Sequence, residues 1–128
     1  MLKKYKDYIA FDFDCVIASY ERPFKMDKLG KPQKDTIDAM RYFYNKGYYI
    51  LIFTGRLATK KMQKWLKKHK VPFHGFNQNP LPMIGTSEVK PYYGILVDDK
   101  AVNYHFKENK KTSSELIKEI QKKLLWRV

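Results

Sequence analysis

The stretch FDFDCVI, residues 11–17, decides the fold, because it sets two aspartates, Asp12 and Asp14, into a run otherwise composed like a buried strand. An ionised carboxylate is costly to desolvate, and two side by side repel each other. The run YIAFDFD (8–14) is short and rich in β-forming residues, so a strand ending in polar chemistry is expected there. Residues two apart on a strand share a face, which would bring Asp12 and Asp14 to one site.

Outward from this stretch, strand and helix patterns alternate. After the irregular segment ASYERPFKMDKLGK (18–31), Pro32 is expected to open a helix. Ile37, Met40, Phe43 and Tyr44 recur in it at helical spacing, and Gly47 stops it. YYILIFT (48–54) reads as a second apolar strand. A second helix is expected near 58–70, with Met62, Trp65, Leu66 and His69 on one face and lysines over the rest. Val71-Pro72-Phe73 suggests a short strand or its entry, 78–88 a loop, and YGILV (93–97) a third apolar strand ending in Asp98-Asp99. Residues 102–106 suggest a short edge strand. Thr112 and Glu115 match a capping box for a last helix whose apolar stripe is Leu116, Ile117, Ile120 and Leu124.

Strands apolar on both faces and alternating with helices imply a parallel sheet covered by helices. The expected fold is α/β: a Rossmann-like three-layer sandwich with a mostly parallel sheet, one domain over 1–128 and no cap domain. Ligands of such sheets bind beyond the carboxyl ends of the strands. Three strands end in polar groups: Asp12 and Asp14, then Thr54-Gly55-Arg56, then Asp98-Asp99. If the strands are parallel, these ends meet on one edge.

Oxygen-only ligands of this kind suit a hard cation, Mg²⁺ above all, which would offset the repulsion among the carboxylates. Thr54 offers a hydroxyl, Gly55 and Arg56 offer backbone N–H groups, and Lys90, just before the third strand, offers an ammonium. Such groups would hold a phosphoryl group. Arg56 is open to two readings, a pair with a carboxylate or a substrate contact. Asp98-Asp99 alone would more often cap a turn than bind metal.

Taken in order, DFDCVI, TGR, VKP and VDD resemble the four signature motifs of the haloacid dehalogenase-like superfamily of phosphohydrolases, over residues 8 to about 105. The resemblance implies that Asp12 is the nucleophile, forming an aspartyl-phosphate. It implies that Asp14 is the general acid and then the base, with its carbonyl on Mg²⁺. Thr54 would bind the transferred group, Lys90 would steady nucleophile and phosphate, and Asp98 and Asp99 would hold the metal, with Asp12 also among its ligands. Gly55 and Arg56 would meet substrate. The family usually has Gly directly after the second aspartate, where this chain has Cys15. That position leaves the strand, and Gly would permit unusual backbone angles.

Family members commonly insert a cap after the first motif or between the second and third. Here those gaps, 18–31 and 76–89, are each about 14 residues, too short for an independent core. The site is therefore expected to be open, or covered by a partner subunit. YERPF (20–24) would be a flap, with Arg22 reaching a substrate anion.

The formal charge is +13, from 26 basic and 13 acidic residues. Lysine supplies 22 of the basic residues and arginine 4, a balance that an AT-rich genome encodes irrespective of function. The charge therefore reads first as a solvated surface and second as a site for a polyanion. The single cysteine excludes an internal disulfide, and the histidines lack zinc-ligand spacing. The start MLKKYKDYIAFDF has no signal-peptide pattern, and no apolar run is long enough for a membrane span, so a cytoplasmic protein is expected. The functional expectation is an Mg²⁺-dependent phosphatase acting on a phosphomonoester, such as a nucleotide or a nucleic-acid end. The alternative is a non-catalytic basic module that holds nucleic acid on the same fold.

Overall fold

In the computed structural model, which describes residues 7–20, 23–78, 93–105 and 107–125, four short strands run parallel in one sheet. Two compact units make up the chain, Met1–Asp98 and Asp99–Val128.

The first unit holds the sheet. Strand β1 (Tyr8–Phe11) is buried at every residue, and β2 (Tyr49–Ile52) is buried from Ile50 onward. Strands β3 (Gly75–Phe76) and β4 (Ile95–Val97) flank them, giving the spatial order β3-β2-β1-β4. Tyr8 pairs with Tyr49 and Phe11 with Ile52, while Phe11 also pairs with Val97 on the other side. The expected α/β, Rossmann-like architecture with a parallel sheet is what the chain adopts.

Parallel neighbours need crossover connections. Helix α1 (Lys34–Asn45) joins β1 to β2, and α2 (Lys60–Lys68) joins β2 to β3. Ile37 and Met40 of α1, and Met62 and Leu66 of α2, share one buried cluster with Ile9, Phe11, Ile50 and Ile52. On the opposite face Tyr8, Ala10 and Leu51 are equally buried, which is why both central strands read as continuous apolar runs.

Backbone chemistry sets the element ends. At the end of α1, Gly47 (φ 91°) donates to the Tyr44 carbonyl and Tyr48 to that of Phe43, and the Phe43 and Tyr48 rings meet edge-on at 5.4 Å. This is a Schellman cap with its apolar clasp. Helix α2 begins at Thr59, whose hydroxyl accepts the Met62 N–H, and ends in a second such cap, with Lys70 (φ 52°) in the glycine position and Val71 donating to Leu66. That use of Val71 moves the expected strand at 71–73 forward: pairing starts where the His74 N–H meets the Ile50 carbonyl, and the strand is Gly75–Phe76. The first helix likewise starts at Lys34, because Pro32 is engaged in a bridge with Ala18.

In the second unit, helix α3 (Ser113–Leu125) carries the capping box in both directions. Thr112 N–H donates to Glu115 Oε1 at 3.0 Å, and Glu115 N–H to Thr112 Oγ1 at 3.2 Å. The Thr112 backbone bond, then its side-chain bond, hold the Glu115 carboxyl below its ordinary range. The expected stripe is not a core: Leu116 is half-buried, and Ile117, Ile120 and Leu124 are exposed. A unit of about 30 residues is too small to bury such a face by itself. The edge strand expected at 102–106 is absent among the described residues, where His105 and Asn109 form an isolated bridge instead.

Candidate active site at the carboxyl edge of the sheet

The strand order reverses direction between β1 and β4, and this is where a doubly wound sheet opens a crevice beyond its carboxyl ends. Asp12 is the first residue past β1, and Asp98 the first past β4. The Asp12 N–H donates to the Val97 carbonyl at 2.9 Å, so the two strand ends are knitted together at that point. Asp12 Oδ1 accepts the Phe13 N–H at 2.8 Å, which fixes the carboxylate. Carboxylate oxygens of Asp12 and Asp98 lie within 4.8 Å of each other, and both residues are half-buried. Two carboxylate oxygens this close are ones that a hard cation could bridge. Asp99 opens the second unit, and its Oδ1 is buried with no hydrogen-bond partner among the described residues.

Beyond Asp12 the chain leaves the strand and closes a tight loop. The Phe13 carbonyl accepts the N–H groups of Val16, Ile17 and Ala18, and Cys15 N–H donates to the Ala18 carbonyl. Phe13, Ile17 and Ala18 are fully buried and anchor this loop in the core. Cys15 has φ 67°, so this position, where the resembled phosphohydrolases usually have glycine, takes a left-handed backbone.

The loop redirects Asp14. The expected face shared with Asp12 does not form, because β1 ends at Phe11 and the alternation of a strand stops with it. Asp14 instead receives Nε of Arg56 on both carboxylate oxygens, at 3.1 and 2.9 Å. Arg56 is only 5% exposed, and it spends its other nitrogens on the carbonyls of Lys25, Met26 and Lys28. The Phe24 ring lies 4.6 Å from the guanidinium carbon. Of the two readings left open for Arg56, the structure has the carboxylate pair, and the expected substrate contact is corrected: the guanidinium is consumed inside the fold.

Of the segment expected to be a flap, 20–24, the Phe24 ring lies against the Arg56 guanidinium. The residues around it are pinned: Arg56 holds the carbonyls of Lys25, Met26 and Lys28, Trp65 Nε1 donates to the Gly30 carbonyl at 3.0 Å, and Ser19 and Lys31 exchange two hydrogen bonds of 2.8 Å. A Cβ on Gly30 would fall 1.7 Å from the Ser19 carbonyl oxygen, so only glycine allows this approach. Arg22 and Lys90 lie outside the described residues.

Thr54 sits just past β2, and its backbone is clamped by Asn77. Thr54 N–H donates to Asn77 Oδ1, and Asn77 Nδ2 donates to the Thr54 carbonyl, both at 2.7 Å. Thr54 Oγ1 accepts the Arg56 N–H at 3.1 Å. Gly55 is exposed, and a Cβ there would meet nothing within 4 Å, so the backbone is open to a ligand. Asn77 is a positioning residue that the sequence reading missed. Its signal was faint: asparagine after a strand is among the few residues that enter the left-handed region, and here φ is 55°.

No protein-family model and no curated protein matches the sequence. A solved structure described as a conserved protein coded by a locus from Bacteroides thetaiotaomicron is similar over 94% of this chain and 93% of its own, at 18% identity and a TM-score of 0.61. That likeness bears on the fold alone. Among the described residues no helix is long and apolar enough to cross a membrane.

Proposed function

We propose that the chain is an Mg²⁺-dependent phosphatase of the haloacid dehalogenase-like kind, hydrolysing a phosphomonoester through an aspartyl-phosphate. The observation that carries this reading is the pair of carboxylates, Asp12 and Asp98, within 4.8 Å at the β1/β4 reversal. Two carboxylates so close repel unless a proton or a cation stands between them, and their all-oxygen chemistry suits a hard ion.

Asp12 and Asp98 would hold Mg²⁺ with the Asp14 backbone carbonyl. Bound there, the ion would neutralise charge on the phosphoryl oxygens. A carboxylate oxygen of Asp12 attacks phosphorus; its O–P bond forms as the bond to the leaving alcohol breaks, and the alcohol takes a proton. Water then attacks the same phosphorus, releasing phosphate and restoring Asp12. Thr54 Oγ1 and the Gly55 N–H receive the phosphoryl oxygens, at a loop whose position Asn77 sets. Asp14 reaches the leaving group as acid and base only by releasing Arg56.

The test is hydrolysis of a generic aryl phosphate with and without Mg²⁺. Wild type is expected to turn over only with the ion, and Asp12→Asn to lose at least 10³-fold while melting within about 3 °C of wild type. Mg²⁺ should also raise the melting temperature of wild type and not of Asp98→Asn, since an ion that binds only the folded state stabilises it. Turnover that survives Asp12→Asn, or a melting temperature indifferent to Mg²⁺, refutes the reading.

A further inference from the structure

Between α2 and the segment around Lys28 runs an open groove of about 420 Å³ that the proposed chemistry does not use. Lys61, Lys64 and Lys68 of α2 line one side, Lys28 stands across from them, and Asp27 is the one acidic residue on the lining. Trp65 forms part of its wall. Residues three and four apart share a helix face, so the three lysines of α2 form a row, spaced along the axis by about 4.5 and 6 Å at 1.5 Å per residue. All three are exposed, and none is ion-paired among the described residues.

The backing of the row is held in place. Trp65 is half-buried, with Nε1 committed to the Gly30 carbonyl and its ring held between Phe13 at 5.0 Å and His69 at 4.6 Å. The opposite wall is fixed as well, through the Lys28 carbonyl bound by Arg56. A line of cations facing another cation across an open groove complements a chain of regularly spaced anions. A peptide bearing one phosphate would engage one lysine of the row. The lining offers no arginine fork to read a base edge, so recognition is through the phosphates.

We infer that this groove binds the sugar–phosphate backbone of a single nucleic-acid strand without regard to sequence. Helix α2 starts a few residues after Thr54-Gly55-Arg56, so the Lys61 end of the row is the end toward the candidate site. If the phosphatase reading holds, the phosphomonoester at the strand's terminus is the substrate.

The experiment measures fluorescence anisotropy of a labelled 20-nucleotide oligothymidine across a salt series, with three proteins. In Lys61→Gln/Lys64→Gln/Lys68→Gln the affinity is expected to fall at least tenfold, and the slope of log K against log salt to shrink by about 2, at about 0.7 per lost phosphate contact. A second triple, Lys46→Gln/Lys60→Gln/Lys67→Gln, removes the same charge from residues off the groove and is expected to bind like wild type. Both triples are expected to melt like wild type, and the groove triple to hydrolyse the aryl phosphate unchanged. Equal losses in the two triples would assign binding to overall charge and overturn the groove. Tighter binding to anionic vesicles or to a phosphopeptide would overturn the nucleic-acid assignment. Absent aryl phosphatase activity, with oligonucleotide binding still lost only in the groove triple, would sink the enzyme reading and leave the groove standing.

Discussion

Replacing Cys15 by glycine should make the protein more stable. Cys15 stands at φ 67° in the loop that follows Asp12, and its N–H bond to the Ala18 carbonyl at 2.8 Å keeps it there. For an L-residue that conformation pushes Cβ toward the following carbonyl oxygen, at a cost of about 1–2 kcal/mol. Glycine relieves this but gives the unfolded chain more freedom, which takes back about 0.4–1 kcal/mol. The net gain is about 0.5–1 kcal/mol. For 128 residues the entropy of unfolding is about 270 cal/mol/K, so the melting temperature should rise by about 2–4 °C. Cys15 is exposed, so little packing is lost with its side chain. Cys15→Ala is the control: it removes the sulfur and keeps the Cβ, so it should gain nothing. Calorimetry with urea titration reads the difference, and the pair Gly against Ala isolates the backbone effect. Alanine equal to or better than glycine would refute the strain argument.

Two further outcomes follow from buried polar groups. Arg56→Lys should cost at least 2 kcal/mol and Arg56→Ala about 3–5 kcal/mol in urea unfolding, because Arg56 and Asp14 have side chains only 4% and 17% exposed and a lysine cannot serve the carboxylate and three carbonyls together; a lysine variant within 0.5 kcal/mol of wild type would contradict the assignment. Burial pushes the His74 imidazole below its ordinary value near 6.5, and Nδ1 accepts the Ile50 N–H at 2.9 Å, which only the neutral ring can do. A lowered folded pKa means that this contribution is complete above about 6.5 and fades as the pH falls through the folded value; urea midpoints from pH 8 to 5 should show the decline in wild type, and His74→Gln should flatten it.

The parts of this fold that were legible in the sequence are those that one residue's own preference decides. Ile50, Leu51 and Ile52 form a central strand because a short apolar run, rich in β-branched residues, is buried there on both faces of the sheet. Gly47 ends α1 because its φ is positive, and Thr112 with Glu115 caps α3 by purely local bonds. The convergence of Asp12, Thr54 and Asp98 on one edge followed from parallel strands. What could not be read depended on a partner far along the chain. Asp14 turns from Asp12 because Phe13 closes a loop and Arg56, 42 residues on, takes its carboxylate. Asn77 holds Thr54 across 23 residues, and no periodicity announces such a clamp. Strand β3 moved because Val71 serves as a helix cap before it can serve as a strand.

The Asp14–Arg56 pair also constrains how the proposed chemistry can proceed. Both oxygens of Asp14 are engaged by one Nε, while the other two guanidinium nitrogens hold carbonyls of residues 25, 26 and 28. Asp14 can therefore leave without releasing that segment, since Arg56 keeps three acceptors and the Phe24 face. Its departure does strip a buried guanidinium of its counter-ion, which is costly unless another anion comes near. Held this way Asp14 serves the structure, and acid–base work by it in the proposed chemistry would have to overcome that loss.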